Sequence, residues 1–218
     1  RLIEEDLARR DFTINAMAWH PARGIADPFL GRQDLAAGVI RCVGDPTQRL
    51  REDALRIFRA LRFASVLGFA IAPETDRALR KERGGLARIA PERIREELVR
   101  LLCGKSAEQI LDRYAEIFFE VLEPLRPMRG FDQCNPHHDR DVWHHTLAAV
   151  TAAPADPLLR LAALLHDAGK PACFSRDGEG IGHFYGHAER SAVIADKVLR
   201  GLHCDGQTQR SVVELVRL

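Results

Sequence analysis

The chain has 218 residues, 46% of them hydrophobic, with 32 Lys and Arg against 31 Asp and Glu for a formal net charge of +1. This supports one sizeable core or two smaller ones. It contains no apolar run near the roughly 18 residues that a membrane span needs. The five cysteines are odd in number, scattered and without a CxxC, which excludes a secreted disulfide framework, so a cytoplasmic protein in a reducing compartment is expected.

Charge and histidine are unevenly spread. Residues 1–104 hold 19 basic side chains against 15 acidic, and 105–218 hold 13 against 16, which permits nucleotide or RNA contact in the first half without demanding it. Eight of the nine histidines lie at or beyond His137. Imidazole is the commonest metal ligand, so the second half is the place to look for a metal site.

Residues 2–9 read as a short charged helix. In RRDFTINAMAW, Phe12, Ile14, Ala16 and Ala18 alternate with more polar residues, which suits a half-buried strand, while the alanines leave a helix open. Gly and Pro fill 20–38 with turns around a short helical step at Asp34 to Ala37, and the β-branched VIRCV at 39–43 predicts a second strand. The period then changes. Leu50, Ala54, Ile57 and Leu61 form one stripe of a helix over 47–67, capped by Thr47 and stopped by Gly68. Further helices are expected from Pro73 to Gly84, from Pro91 to Leu102 and over 106–118. A Pro-, Asp- and Arg-rich stretch at 124–141 marks a boundary. Beyond it helices are expected at 142–152, 158–168, 187–201 and from 207, with a Gly-rich insert at 176–182, so this second unit is predicted to be all-helical.

Two clusters carry chemistry. On the 47–67 helix, Glu52 and Asp53 stand four and three residues before Arg56, and Arg59 continues the row one turn later. A carboxylate accepts and a guanidinium donates in a rigid fork, so such a surface can match the mixed edge of a nucleobase. The same residues also suit a solvated helix with i,i+4 ion pairs, each worth only about 0.2–0.5 kcal/mol. Upstream, Arg10 can meet a phosphate and Asp11 a ribose hydroxyl, or Asp11 can cap a turn while the arginines face water. In the rear half, His145 is followed by the adjacent His166-Asp167 at the end of an apolar helix. Charge there is costly unless compensated, either by a divalent cation or by hydrogen bonding within a buried His–Asp pair. Lys170 lies one turn further, and His183 and His187 are spaced four apart.

The order RRDFTINAMAW, ADPFLGRQDLAAGVIRCVGDP, REDALRIFRALRFASVLGF, PERIREEL resembles the bacterial tRNA nucleotidyltransferase and poly(A) polymerase family, of the class that includes CCA-adding enzymes. The likeness runs from residue 1 to about 120 and rests on the RRDFTINA, EDxxR and ERxxxE motifs. It implies a mainly α chain: the tail of a small α/β nucleotidyltransferase head domain (1–46), a helical neck (47–123) and a rear unit (124–218). It implies that Asp53 and Arg56 read the Watson–Crick edge of incoming CTP or ATP with help from Arg59, while Arg10, Asp11 and Asn15 serve the phosphate and ribose side. Glu52 and Arg62 would support the arginines, and Glu92, Arg93 and Glu97 would hold the neck helices together. The reaction implied is template-independent addition of CMP and AMP to tRNA 3′ ends with release of diphosphate. The family places a Gly-rich loop and a DxD pair binding Mg2+ before RRDFTIN. The catalytic carboxylates are therefore expected upstream of Arg1, and the residues given are expected not to transfer a nucleotide alone.

HHDRDVWHHTLAA, LLHDAGKP and HFYGHAERSA resemble the HD domain as fused to bacterial tRNA nucleotidyltransferases. That likeness implies His145, His166 and Asp167 as ligands of a divalent metal such as Mg2+, Mn2+ or Ni2+, with Lys170, His183 and His187 lining the pocket. The closing aspartate is expected after Leu218. A stand-alone HD phosphohydrolase acting on phosphoesters, or a poly(A) polymerase, are the alternative functions. A hydrolase leaves the first 60 residues without a role.

Overall fold

A computed structural model describes residues 3–134 and 140–218; Arg1, Leu2 and 135–139, which include the middle of the Pro-rich boundary with His137 and His138, lie outside the described residues. The chain opens with α1 (Ile3–Leu7) and a hairpin of β1 (Ala18–His20) and β2 (Gly24–Ala26), in register Ala18 to Ala26. The strand expected over Phe12–Ala18 is not formed. Thr13–Asn15 is a 3-10 turn, and Phe12 alone bridges to Cys42. The polar residues of the motif fold the backbone back on itself: Thr13 Oγ1 donates to Asp34 Oδ2 at 2.6 Å and Asn15 Nδ2 to Asp11 Oδ1 at 3.3 Å. Phe12, Ile14 and Ala16 still reach the interior, so burial alternates without a ladder.

Next come α2 (Gly31–Ala37), started by the Asp27 carboxylate on the backbone N–H groups of Gly31 and Arg32, and β3 (Val39–Ile40), which pairs in parallel with β4 (Ala70–Ile71). The helix expected over 47–67 is two helices, α3 (Pro46–Glu52) and α4 (Leu55–Leu67). The cap is Asp45 rather than Thr47, its carboxylate accepting from Gln48 N at 2.7 Å with Pro46 in the first turn. Asp53 breaks the helix in an extended conformation (φ −150°, ψ 103°). Its Oδ1 accepts from Leu55 N and its Oδ2 from Arg93 Nη2, at 3.0 and 3.1 Å. Gly68 ends α4 in the left-handed region as expected.

The chain continues through α5 (Pro73–Glu82), a 3-10 turn over Arg83–Arg88, α6 (Pro91–Leu102), α7 (Ala107–Arg113) and α8 (Ala115–Phe118). The single helix expected over 106–118 is interrupted at Tyr114, whose ring is buried under the Arg80 guanidinium at 4.8 Å.

Behind the boundary lie α9 (Val142–Ala152), α10 (Pro157–Leu165), α11 (His187–Gly201) and α12 (Gly206–Arg217); Asp141, Asp156 and Asp205 cap α9, α10 and α12 with side-chain carboxylates. This unit is not all-helical. The Gly-rich insert forms a hairpin, β5 (Ser175–Arg176) against β6 (Gly182–His183), whose turn is organised by Asp177 Oδ1 accepting from the N–H groups of Glu179 and Ile181. One apolar core runs from Phe12 to Val216 across the boundary, with Phe119 edge-on to Trp143 at 5.2 Å. The buried Arg160 guanidinium of α10 adds three hydrogen bonds, to the carbonyls of Leu102, Thr151 and Pro154. Among the described residues no helix is long and apolar enough to cross a membrane.

Candidate nucleotide cleft and metal centre

The break between α3 and α4 opens a cleft of about 460 Å³ against the RRDFTIN segment. Arg10, Asp11, Asn15, Asp53, Arg56 and Arg59 all line it, joined by Arg9, Leu55 and Arg93. Five arginines face two aspartates, a surplus that suits a polyphosphate. Of the two pairs that the sequence spacing suggests for Arg56, the one with Glu52 forms and the one with Asp53 does not. Asp53 pairs with Arg93 of α6, not with Arg56, because the helix break turns its carboxylate toward α6. Arg56 instead donates to Glu52 Oε2 at 3.0 Å and to the carbonyls of Arg49 and Arg9. Its hydrogen bond holds the Glu52 carboxyl below the usual carboxylate range. Arg59 Nε donates to the buried Asp11 Oδ2 at 2.7 Å, while Asp11 Oδ1 accepts from Phe12 N and Asn15 Nδ2. Arg10 stays exposed, paired only with Asp6 at 3.3 Å.

A second layer fixes these groups. Buried Glu97 of α6 pairs with Arg62 and lies 3.6 Å from Arg59 Nη1. Glu92, expected to brace the neck, points elsewhere: its carboxylate meets His203 Nδ1 at 2.6 Å, tying α6 to the end of α11. Sequence reasoning missed Arg49, which joins Glu52 to the carbonyls of Ala8 and Val43 and so docks α3 on the motif segment. Its signal was available in the i,i+3 spacing to Glu52. The chain's one DxD triplet, Asp139-Arg140-Asp141, does not belong to this cleft: Asp141 caps α9, and Asp139 lies outside the described residues.

In the rear unit, α10 stops at Leu165 and leaves His166 and Asp167 just past its last turn. One ligand atom from each of His145, His166 and Asp167 lies within 4.8 Å of the others. Asp167 is 1% exposed, with its Oδ2 3.1 Å from His166 Nε2, 3.5 Å from His145 Nε2 and 2.9 Å from Lys170 Nζ. The lysine contact is an ion pair off the line of a hydrogen bond, so among the described residues Oδ2 is buried without a donor. Burial raises the Asp167 carboxyl, but His166 and Lys170 outweigh it and leave the pKa at about 2.

His166 Nδ1 lies 2.8 Å from the carbonyl of Ala163 and His187 Nδ1 2.8 Å from that of Phe184. A carbonyl only accepts, so both rings carry a proton on Nδ1, and their Nε2 atoms aim at Asp167. His187 Nε2 is 3.6 Å from Asp167 Oδ1. Gly169 makes that approach possible, since a Cβ there would stand 2.6 Å from His187 O and Ser191 N. His183 does not join the cluster. It pairs with Asp177 at 2.7 Å and stacks on Tyr185. Two nitrogen lone pairs and a buried carboxylate oxygen without a donor are a donor set that a divalent cation fits.

Residues 1–41 match the poly(A) polymerase head domain, and 68–125 match the probable RNA and SrmB-binding site of polymerase A. The A-adding tRNA nucleotidyltransferase of Deinococcus radiodurans is 39% identical over 99% of this chain and 52% of its own length. The multifunctional CCA protein of Nitrosococcus oceani is 35% identical over 99% of this chain and 53% of its own. The chain thus spans about half the length of these curated relatives. Among solved structures, the Bacillus stearothermophilus CCA-adding enzyme in complex with CTP covers 96% of this chain and 45% of its own, with a TM-score of 0.60 and 31% identity. With both polymerase segments matched in order and relatives aligned along nearly all its residues, the chain belongs to the tRNA nucleotidyltransferase family that includes the CCA-adding enzymes.

Proposed function

We propose that this chain carries the nucleotide-selecting part of a template-independent tRNA nucleotidyltransferase, which adds CMP and AMP from CTP and ATP to tRNA 3′ ends and releases diphosphate. The observation that carries this reading is the convergence of Arg10, Asp11, Asn15, Asp53, Arg56 and Arg59, from two distant segments, on one cleft. The solvated-helix alternative gives no reason for that meeting. Asp53 presents an acceptor and Arg56 a fork of donors, and Arg93 and Glu52 hold them while the cleft awaits a base. Arg9 and Arg10 stand on the side where a triphosphate would neutralise them. The division of labour follows the chain: 1–46 as the tail of the head domain, 47–123 as the neck, 124–218 as the rear unit. The support is the likeness to proteins described as A-adding and CCA-adding, one of them bound to CTP. Exchanging Arg56 for alanine in the full protein tests it. Incorporation of both CTP and ATP on a tRNA lacking its end should fall by about 100-fold, as for loss of a charged donor used in positioning. Wild-type rates for both nucleotides would remove Arg56 as base reader.

For the rear unit, we propose an HD-type centre in which His145, His166 and Asp167 hold one divalent cation. The buried, donor-free Oδ2 of Asp167 supports this over a satisfied His–Asp pair. Imidazole donors suit Mn2+ or Ni2+ better than Mg2+. Such an ion supplies Lewis acidity toward a phosphoryl oxygen and an acidified water. Around it, the carbonyls of Ala163 and Phe184 set the imidazole tautomers, and Asp167 and Lys170 set the local charge. Metal content of the full protein with and without His166 decides the ligand set: equal content would refute it.

A further inference from the structure

Lys170 Nζ is almost fully buried and has two oxygen neighbours. It lies 2.9 Å from Asp167 Oδ2, off the line of a hydrogen bond, and it donates an aligned hydrogen bond of 3.0 Å to Gln133 Oε1. Gln133 belongs to the segment before the second domain's first helix, is 1% exposed, and is itself held at its other end, where Nε2 donates to the carbonyl of Arg140 at 3.0 Å. Its main chain is locked as well. The hairpin packs so closely on it that a Cβ on Gly182 would stand 2.1 Å from Gln133 O. A buried, doubly anchored carboxamide is a costly way to fill space, because each of its polar atoms must be paired. It is a precise way to place an ammonium.

The placement matters because an ammonium and a dication are rivals for the same carboxylate oxygen. Without Gln133, the buried ammonium would have Asp167 Oδ2 as its one oxygen partner among the described residues, and it would rotate into a full charge-assisted hydrogen bond there. The lone pairs that face His145 and His166 would then be spent on Lys170. We propose that Gln133 is a positioning residue for the rear metal centre: by holding Lys170 off the line of Asp167 Oδ2, it keeps that oxygen available to a divalent cation, and it retains the ammonium when the cation binds. This rests on the reading of His145, His166 and Asp167 as a ligand set.

The test is Mn2+ binding to the full chain, followed by electron paramagnetic resonance of free Mn2+, in wild type, Gln133→Leu, Lys170→Met and the double variant. Gln133→Leu should weaken Mn2+ binding by about 10-fold, within the range typical of an outer partner, and adding Lys170→Met should restore it. A purely structural glutamine predicts no such rescue. Wild-type affinity in Gln133→Leu, or equal weakness in the single and double variants, would overturn the proposal. Should Gln133→Leu fail to fold, Lys170→Met alone removes the rival ammonium and should bind Mn2+ at least as tightly as wild type; weaker binding there would likewise overturn it. If wild type and His166→Ala bind Mn2+ alike, the ligand set itself fails, a result distinct from a failure confined to Gln133.

Discussion

In the front cleft both aspartates that reach the wall are fully engaged, Asp11 by Arg59, Asn15 and its neighbour's N–H, Asp53 by Arg93 and Leu55 N, whereas in the rear cluster the buried Asp167 Oδ2 has no hydrogen-bond donor. On the proposed reading, the difference separates two ways of meeting a phosphate ligand. The cleft is open, and its pairs are partly exposed, so they can exchange partners with a base or a triphosphate at small cost. The rear site sets a buried carboxylate among half-buried imidazoles and leaves one oxygen short of positive charge, which an ion or a rearranged lysine can supply.

The largest expected effect lies on the rear side of this comparison. Replacing Asp167 by Asn removes the anionic oxygen and leaves two imidazoles, so Mn2+ affinity should fall by more than about 100-fold, beyond what loss of an outer partner costs; titration with Mn2+ measures it. Retention of binding would mean that the buried carboxylate is only a hydrogen-bonding anchor, like Asp11 in front. Gly169→Ala should follow. Its Cβ would meet backbone atoms of His187 and Ser191 at 2.6 Å, so the turn and α11 must part, at a cost of about 2–3 kcal/mol read by urea unfolding.

On the front side, Glu97→Gln removes the charge between Arg59 and Arg62. Both guanidiniums are partly open to water, so the loss is smaller than for a sealed pair, about 2 kcal/mol in chemical denaturation. CTP affinity should fall less than for Arg56→Ala, because Arg59 keeps Asp11. A larger loss of affinity than of stability would promote Glu97 from a brace to a determinant of the cleft.

Much of the architecture was legible because it was written in helical period and in punctuation: Pro73, Pro91 and Gly68 begin and end helices where their chemistry says they should. Two of the misread elements share one cause. The apolar stripe through Leu50, Ala54 and Ile57 continues across the break at Asp53, and the alternation of Phe12, Ile14 and Ala16 survives without a strand, since burial records which side chains reach the core and not how the backbone brings them there. In both places a polar side chain bonding nearby backbone or a distant partner decides the path, Asp53 with Arg93 and Thr13 with Asp34. The residues that line the cleft were legible as a set, through the motifs. The Asp53–Arg93 pair was not, nor was Gln133, because both depend on contacts 30 or more residues apart.

The smallest expected effect probes how the rear site is carried. Asp141 caps α9, the helix that delivers His145, and accepts from the N–H groups of His144 and Gly130, each at 2.7 Å. Burial raises its carboxyl, but these donors outweigh it and hold it below the usual range. A carboxyl lowered on folding contributes its stability in full above the unfolded value near ~4, and loses it as pH falls through the folded value. Asp141→Ala should therefore cost about 1 kcal/mol at pH 7, and the gap in melting temperature between variant and wild type should narrow below pH ~4. A constant gap for Asp141→Ala down to strong acid would mean that packing of Trp143 and Val142, and not the cap, sets the first turn of α9 and with it the position of His145.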